Sequence, residues 1–390
     1  MTTQAQTPAS PASPAGLEGV TAGNSSLSRV DGTAGHLYYC GYPIEPLAEA
    51  GTFEECVYLL WNGELPNAAQ LAEMKAQLTA DEKVPTEIWD LLRPLAARNM
   101  SLMDLLRTGV SALAAFDDEV ATTREDVDGR MEIERRVANR VMAKMGPLVT
   151  GAYRLQKGQE PLATKAELSM AGNFLYTLTG EVPGEYEERI FDAALTLHAD
   201  HGFNASTFAA RVTSATESDI YCAITAAIGC LAGRLHGGAN MRVMRMLEEI
   251  GEVENAEAFV DAILAKPKGR VMGFGHRVYK VEDPRATVLR RMADELTKSS
   301  GNAKWFQMSR KVEDRVKERK GLAPNVDFYS ASVYGSLGLD PEIFTPIFAV
   351  SRASGWLAHV LEQHADNRLI RPRANYIGSP ERAHVPLAQR

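Results

Sequence analysis

The stretch from Asp219 to Leu235 limits the possible folds more than any other part of this chain. It is apolar nearly all round, with Ile220, Ile224, Ile228, Leu231 and Leu235 recurring at helical spacing. A helix without a polar face is buried on every side. Composition agrees: hydrophobic residues make up 45% of 390 residues, aromatics only 7%, and Ala, Leu, Met and Glu are plentiful, which favours helix over sheet. That length exceeds one ordinary core and predicts about two domains.

Read in order, Met1 to Ala15 is a Thr, Ala, Ser and Pro tract expected to be a disordered tail, without the basic start and apolar run of a signal peptide. Gly16 to Tyr42 predicts a small β ribbon from two pieces, Gly19–Thr21 and His36–Tyr39. From Pro43 to about Cys230 the pattern is helical. Thr52 can cap Phe53–Trp61 with Gly63 as its stop, and Ser101–Phe116 and Arg124–Gln156 continue the pattern. There is no 20 to 50 residue repeat, so a solenoid is excluded. No apolar run reaches the ~18 residues of a membrane span. The four cysteines show no CxxC spacing, which reads as free thiols in a reducing cytoplasm.

Several residues stand out for chemistry. Glu185 to His201 predicts a helix whose stripe ends on a core-facing His201, with Gly202 as its stop and Asn204 or Ser206 as the next cap. His198 lies three residues earlier, but nothing completes a known metal spacing, so no metal is expected. In Leu235-His236-Gly237-Gly238, His236 sits at a helix junction, with Asn240 able to cap the helix that follows. Amides exposed there disfavour imidazolium and leave a neutral ring that donates one hydrogen bond. Gly273 to Arg285 places His276, Lys280 and Arg285 within thirteen residues, a set suited to a small anion, with Asp283-Pro284 starting a helix. It is not a GxGxxG fingerprint. Asp327 falls in the first turn of a helix capped by Asn325. Arg352, on a long helix from Glu342 to Gln363, is flanked by Phe348 and Trp356, so it either meets an anion or stacks on Trp356. Arg371 and Arg373 lie in a tail broken by Pro372. Net charge is -8, yet Lys266 to Lys320 holds 16 Lys and Arg against 7 Asp and Glu, which suits a polyanionic ligand.

The segments ADHGFNAST, LHGGAN, GFGHRVYKVEDPR, PNVDFYS, SRASGW and IRPRANY together resemble the citrate synthase family, in consistent order from about Gly16 to Gly378. One departure is Gly202, where the family commonly has Glu. The resemblance implies an all-α fold of two domains with a small N-terminal β element: a large domain over 16–235 and 336–390, and a small mobile one over 236–335. It implies condensation of acetyl-CoA with oxaloacetate, then hydrolysis of citryl-CoA to citrate and CoA. Asp327 would be the base toward the acetyl methyl, His236 the donor to the thioester oxygen, and His276 the donor to the oxaloacetate ketone. His201, Arg285, Arg352 and Arg371 would bind oxaloacetate and citrate, with Arg371 reaching across a homodimer. Lys280 and the basic window would meet the CoA phosphates. No cofactor beyond the thioester substrate, no nucleic acid and no membrane is expected. Three other readings are 2-methylcitrate synthase with propionyl-CoA, a metal-dependent hydrolase using His198, His201, His236 and His276, and a non-catalytic CoA-binding helical protein.

Overall fold

A computed structural model describes residues 15–123, 128–300 and 303–390, with the side chains of 15 and 298–300 outside the description. The expected tail therefore lies outside the described residues apart from its last position, as does the start of the helix expected from Arg124.

The chain opens on an antiparallel sheet, β1 (Ser28–Asp31), β2 (His36–Tyr39) and β3 (Tyr42–Pro43), in which Val30 faces Leu37 and Tyr39 faces Tyr42. Gly19–Thr21, expected to be extended, is turn and coil outside the sheet. The first helices are α1 (Ile44–Ala50), α2 (Phe53–Asn62), α3 (Ala68–Asp81), α4 (Thr86–Ala96), α5 (Leu102–Leu113), α6 (Val120–Thr123), α7 (Arg130–Gln156) and α8 (Met170–Thr179). Then come α9 (Glu185–His198), α10 (Ala205–Ser214), α11 (Ile220–Leu231), α12 (Ala239–Ile250), α13 (Ala256–Ala265), α14 (Pro284–Ser300), α15 (Lys304–Lys320), α16 (Val326–Ser336) and α17 (Phe344–Ala365). The fold is all-α with a small β element. Among the described residues, no helix is long and apolar enough to cross a membrane.

Local chemistry sets many boundaries. Thr52 and Glu55 form a reciprocal capping box at the start of α2, and Gly63 ends it at φ 82°. Asn204 caps α10, Asp219 caps α11 and Asn325 caps α16 through side-chain oxygens. Three expectations need correction. Helix α9 stops at His198, so His201 lies in the connection beyond it. Ser206 is inside α10, not its cap. Asn240 is inside α12, its oxygen turned to the Met241 amide, and Gly238 occupies the cap position.

The helix buried on every side is α17, not α11. Every residue from Phe344 to Leu361 is buried, and α2, α7, α9, α10 and α11 pack around it. Its polar residues disguised this in the sequence, because they find partners inside: Ser351 Oγ donates to the Leu195 carbonyl, and Ser354 Oγ to the Ser351 carbonyl at 2.7 Å. Helix α11 leaves one face open, where Cys222 is exposed and Thr225, Ala226, Gly229 and Cys230 are half-buried. Leu235, expected on its buried stripe, is 90% exposed beyond the helix end. Helices α12 to α16 pack largely on one another, through α14 on α16, α12 on α16 and α13 on α15, and meet the rest through α14 against α1 and α9 and through α12 against α17.

Candidate active site

Two segments fifty residues apart are stitched together to begin the site. Gly275 N donates to Ala323 O at 3.0 Å, Asn325 N to Gly273 O at 2.9 Å, and Asn325 Nδ2 to Gly275 O at 2.9 Å. Gly273 is required here: it has φ +79°, and a β-carbon would stand 2.8 Å from that of Phe328. The same Asn325 accepts from the Asp327 amide at 3.1 Å, so one side chain both caps α16 and fixes the loop carrying His276. The far end of that loop is held by Lys280 N donating to Gly32 O, in the β1–β2 turn, at 2.8 Å.

Asp283, expected only as a helix start, does more. It takes both prongs of the buried Arg285 guanidinium, Nε to Oδ1 at 3.0 Å and Nη2 to Oδ2 at 2.8 Å, and accepts from Val326 N at 3.2 Å. The pair compensates a charge that would otherwise be stranded. It holds Arg285 against the start of α16 and leaves Nη1 without a hydrogen-bond partner among the described residues.

The hydrogen bonds of two histidines fix their tautomers. His276 Nδ1 receives the Val278 and Tyr279 amides at 3.0 and 3.2 Å, and an amide can only donate, so its proton sits on Nε2. His236 Nε2 receives the Ser206 amide at 3.3 Å and lies 2.8 Å from Ser206 Oγ, so its proton sits on Nδ1. Trp356 Nε1 donates to that same Oγ at 3.1 Å. The amide at His236 belongs to the start of α10, not to that of α12 as the sequence suggested. Burial pushes the pKa of both rings down to about 4, helped by Arg285 at His276 and by Arg352 at His236. Each is therefore a neutral imidazole with one N–H to offer. His201 stands edge-on to His276 with centroids 5.3 Å apart, its Nε2 3.2 Å from Tyr279 Oη, and burial followed by Arg285 keeps it well below the usual histidine range.

Asp327 has no hydrogen bond or ion pair to its carboxylate among the described residues. Burial raises its pKa to about 6, against the pull of Arg285. Arg352 is 1% exposed. Its Nε donates to His198 O at 2.7 Å, and its guanidinium lies 4.7 Å from the ring centroid of Phe348, not on Trp356, whose indole is engaged with Ser206. Burial pushes it down to about 10, and no carboxylate is within ion-pair distance among the described residues. A buried cation of this kind calls for an anionic ligand. The fields of Arg285 and Arg352 both reach His201 and Asp327, so His201, His236, His276, Arg285, Asp327 and Arg352 share one centre.

The other two candidates are not brought there. Lys280 is exposed at the loop edge. Arg371 is exposed in the extended tail, with Nη1 donating to Pro372 O at 3.0 Å, and it lines a cleft of about 890 Å³ with Phe203, Arg211 and Glu362. His198, the other metal candidate, is buried with Nδ1 donating to Ala194 O at 2.7 Å. Among the described residues, no cluster of three or more His, Cys, Asp or Glu has metal-ligand geometry. Sequence reading gave Asp283, Ser206 and Trp356 other roles, as helix start, cap and stacking partner, and passed over Tyr279.

The family model described as citrate synthase, C-terminal domain, matches residues 16–373. The chain belongs to the citrate synthase family. Its relatives include citrate synthase 2 of Bacillus subtilis (strain 168), 52% identical over 376 residues, covering 96% of this chain and 98% of that one. The crystal structure of citrate synthase from Pyrobaculum aerophilum superimposes with a TM-score of 0.89 at 37% identity, covering 100% of both chains. A 2-methylcitrate synthase of Mycobacterium tuberculosis is more distant, 39% identical over 94% of this chain and 91% of its own. The family's reaction, condensation of acetyl-CoA with oxaloacetate, is that of a transferase.

Proposed function

We propose that the six convergent residues carry out citrate synthesis. One observation supports this most: two neutral histidines, each with its acceptor nitrogen occupied by a backbone amide, present N–H donors in a centre that also holds a carboxylate raised to about 6. Asp327 takes a proton from the acetyl methyl. His236 Nδ1–H stabilises the thioester oxygen as the enol forms, and His276 Nε2–H polarises the ketone of oxaloacetate. Preorganised donors of this type are each worth roughly 3 kcal/mol where charge develops. Arg352, Arg285 Nη1 and His201 hold the substrate carboxylates, and hydrolysis of citryl-CoA completes the turnover. Arg277 and Lys280, exposed beside His276, suit the CoA diphosphate. No cofactor enters this scheme. The higher identity to a citrate synthase favours acetyl over propionyl transfer, and kcat/KM measured with both thioesters tests it; a preference for propionyl-CoA would reverse the assignment.

The protonation states give a pH dependence. Asp327 must be ionised and the histidines stay neutral down to about 4, so kcat/KM should fall below pH about 6 with a slope of one proton. A flat profile from pH 7 to 5 would remove Asp327 as the base.

Helices α12 to α16 serve in this account as the smaller body, residues 236–335, closing over oxaloacetate; scattering profiles unchanged by oxaloacetate would count against it. A homodimer completes the site. In its favour are the open small-residue face of α11, Leu235 at 90% exposure, a tail with Tyr376 and Ile377 78% and 92% exposed, and an Arg371 remote from its own centre. Four cysteines that form no disulfide with one another fit a cytoplasmic location. If Arg371 serves the neighbouring copy, mixing inactive Asp327→Asn and Arg371→Ala dimers, after dissociation, restores activity, because one site of each heterodimer carries neither change. No restoration would place Arg371 in its own subunit's site.

A further inference from the structure

No catalytic step uses the N-terminal sheet, yet its first hairpin grips both sides of the centre. At the open end of that hairpin Ser28 of β1 and Tyr39 of β2, paired opposite each other, hold the buried Asp200 that precedes His201. Ser28 Oγ donates to Asp200 Oδ2 at 2.5 Å and accepts from Gly202 N at 2.9 Å. Tyr39 Oη donates to Asp200 O at 2.8 Å and accepts from Asp200 N at 3.0 Å. Both neighbours of His201 are thereby fixed to the sheet.

The other end of the hairpin meets the loop of His276. Asp31 shapes the turn, its Oδ1 accepting from Thr33 N at 3.1 Å and Ala34 N at 2.8 Å. Gly32 O receives Lys280 N at 2.8 Å, and a β-carbon on Gly32 would stand 2.3 Å from the Val278 carbonyl oxygen. Ordinary contact begins at 3.4 Å, so alanine there would force Val278 back by about 1 Å. The φ of Gly32 lies outside the left-handed region, so its own backbone would accept a side chain, and the missing one serves Val278. Val278 N is one of the two amides that donate to His276 Nδ1. Gly35 meets the same loop, where a β-carbon would stand 2.7 Å from Val281 Cγ2.

We propose that the β1–β2 hairpin is a brace that sets His276 against His201, with Gly32 a positioning residue that acts through Val278. The inference rests on the citrate synthase reading, in which His276 polarises the ketone of oxaloacetate. Gly32→Ala tests it, read by kcat and by the infrared carbonyl stretch of oxaloacetate bound at saturation. A hydrogen-bond donor on the ketone lowers that stretch below its value in free solution, as wild type should show. In the variant the stretch should return toward the free value and kcat should fall by about 10- to 10²-fold, the scale for a misplacement of about 1 Å. Thr33→Ala, in the same turn but exposed, should match wild type in both. A second pair of variants decides the matter should Gly32→Ala not fold. Gly35→Ala should reproduce the loss, and Gly35→Ala with Val281→Ala, which keeps the backbone strain at φ +75° but removes the obstructing methyl, should recover most of it. A wild-type stretch and kcat in Gly32→Ala, or no recovery in the double variant, overturns the brace and leaves the citrate synthase reading standing. A wild type that fails to bind oxaloacetate, or binds it without lowering its stretch, overturns both.

Discussion

Asp327→Asn should lower kcat by about 10²- to 10⁴-fold, the range for loss of a positioned general base, while oxaloacetate still binds. The carboxylate makes no hydrogen bond or ion pair among the described residues, so the isosteric amide breaks no structural contact there. Stability gives a second readout. The folded pKa of about 6 lies above the ordinary carboxylate value, so the folded state holds a proton that the unfolded chain releases. Between about pH 4 and 6 the ionisation of Asp327 therefore takes stability away as pH rises, and the amide escapes that loss. Thermal unfolding at pH 8 should show the variant at least as stable as wild type. Near-normal kcat would end the assignment of Asp327 as base.

Arg352→Met should separate binding from folding just as clearly. No carboxylate is within ion-pair distance of this buried guanidinium among the described residues, although the charges of Asp200 and Asp327 reach it, and its one hydrogen bond goes to a carbonyl, at 2.7 Å. Methionine fills much of the same volume without the desolvation cost, so the fold should be unharmed or more stable. Oxaloacetate loses its buried cationic partner, which costs about 2–5 kcal/mol, a weakening of roughly 30-fold to several-thousand-fold. Calorimetric titration and thermal unfolding of the same preparation check both halves. A destabilised variant with unchanged oxaloacetate affinity would make Arg352 structural.

Much of this was legible in the sequence because it is local. Thr52 and Gly63 bound α2, and Asn325 starts α16, through bonds made within a few residues. What escaped depends on groups far apart in the chain. His236 owes its tautomer to the amide of Ser206, thirty residues earlier, and its neutral state to burial and the charge of Arg352. The buried character of α17 was masked by Ser351, Arg352 and His359, polar residues whose partners lie on other helices. Conversely, α11 looked fully buried because small and apolar residues cover a face that this chain leaves open. The charge of the basic window was plain, but which of its arginines meet carboxylates is decided by helices coming together, as Arg291 does with Glu49.

The central claim is that this centre joins two substrates, and thiol release from acetyl-CoA measured with and without oxaloacetate tests it most directly. The account predicts negligible release from acetyl-CoA alone, and with oxaloacetate one free CoA thiol and one citrate for each oxaloacetate consumed. Release at the same rate in the absence of oxaloacetate, or thiol appearing without citrate, would make the protein a thioester hydrolase and contradict the assignment.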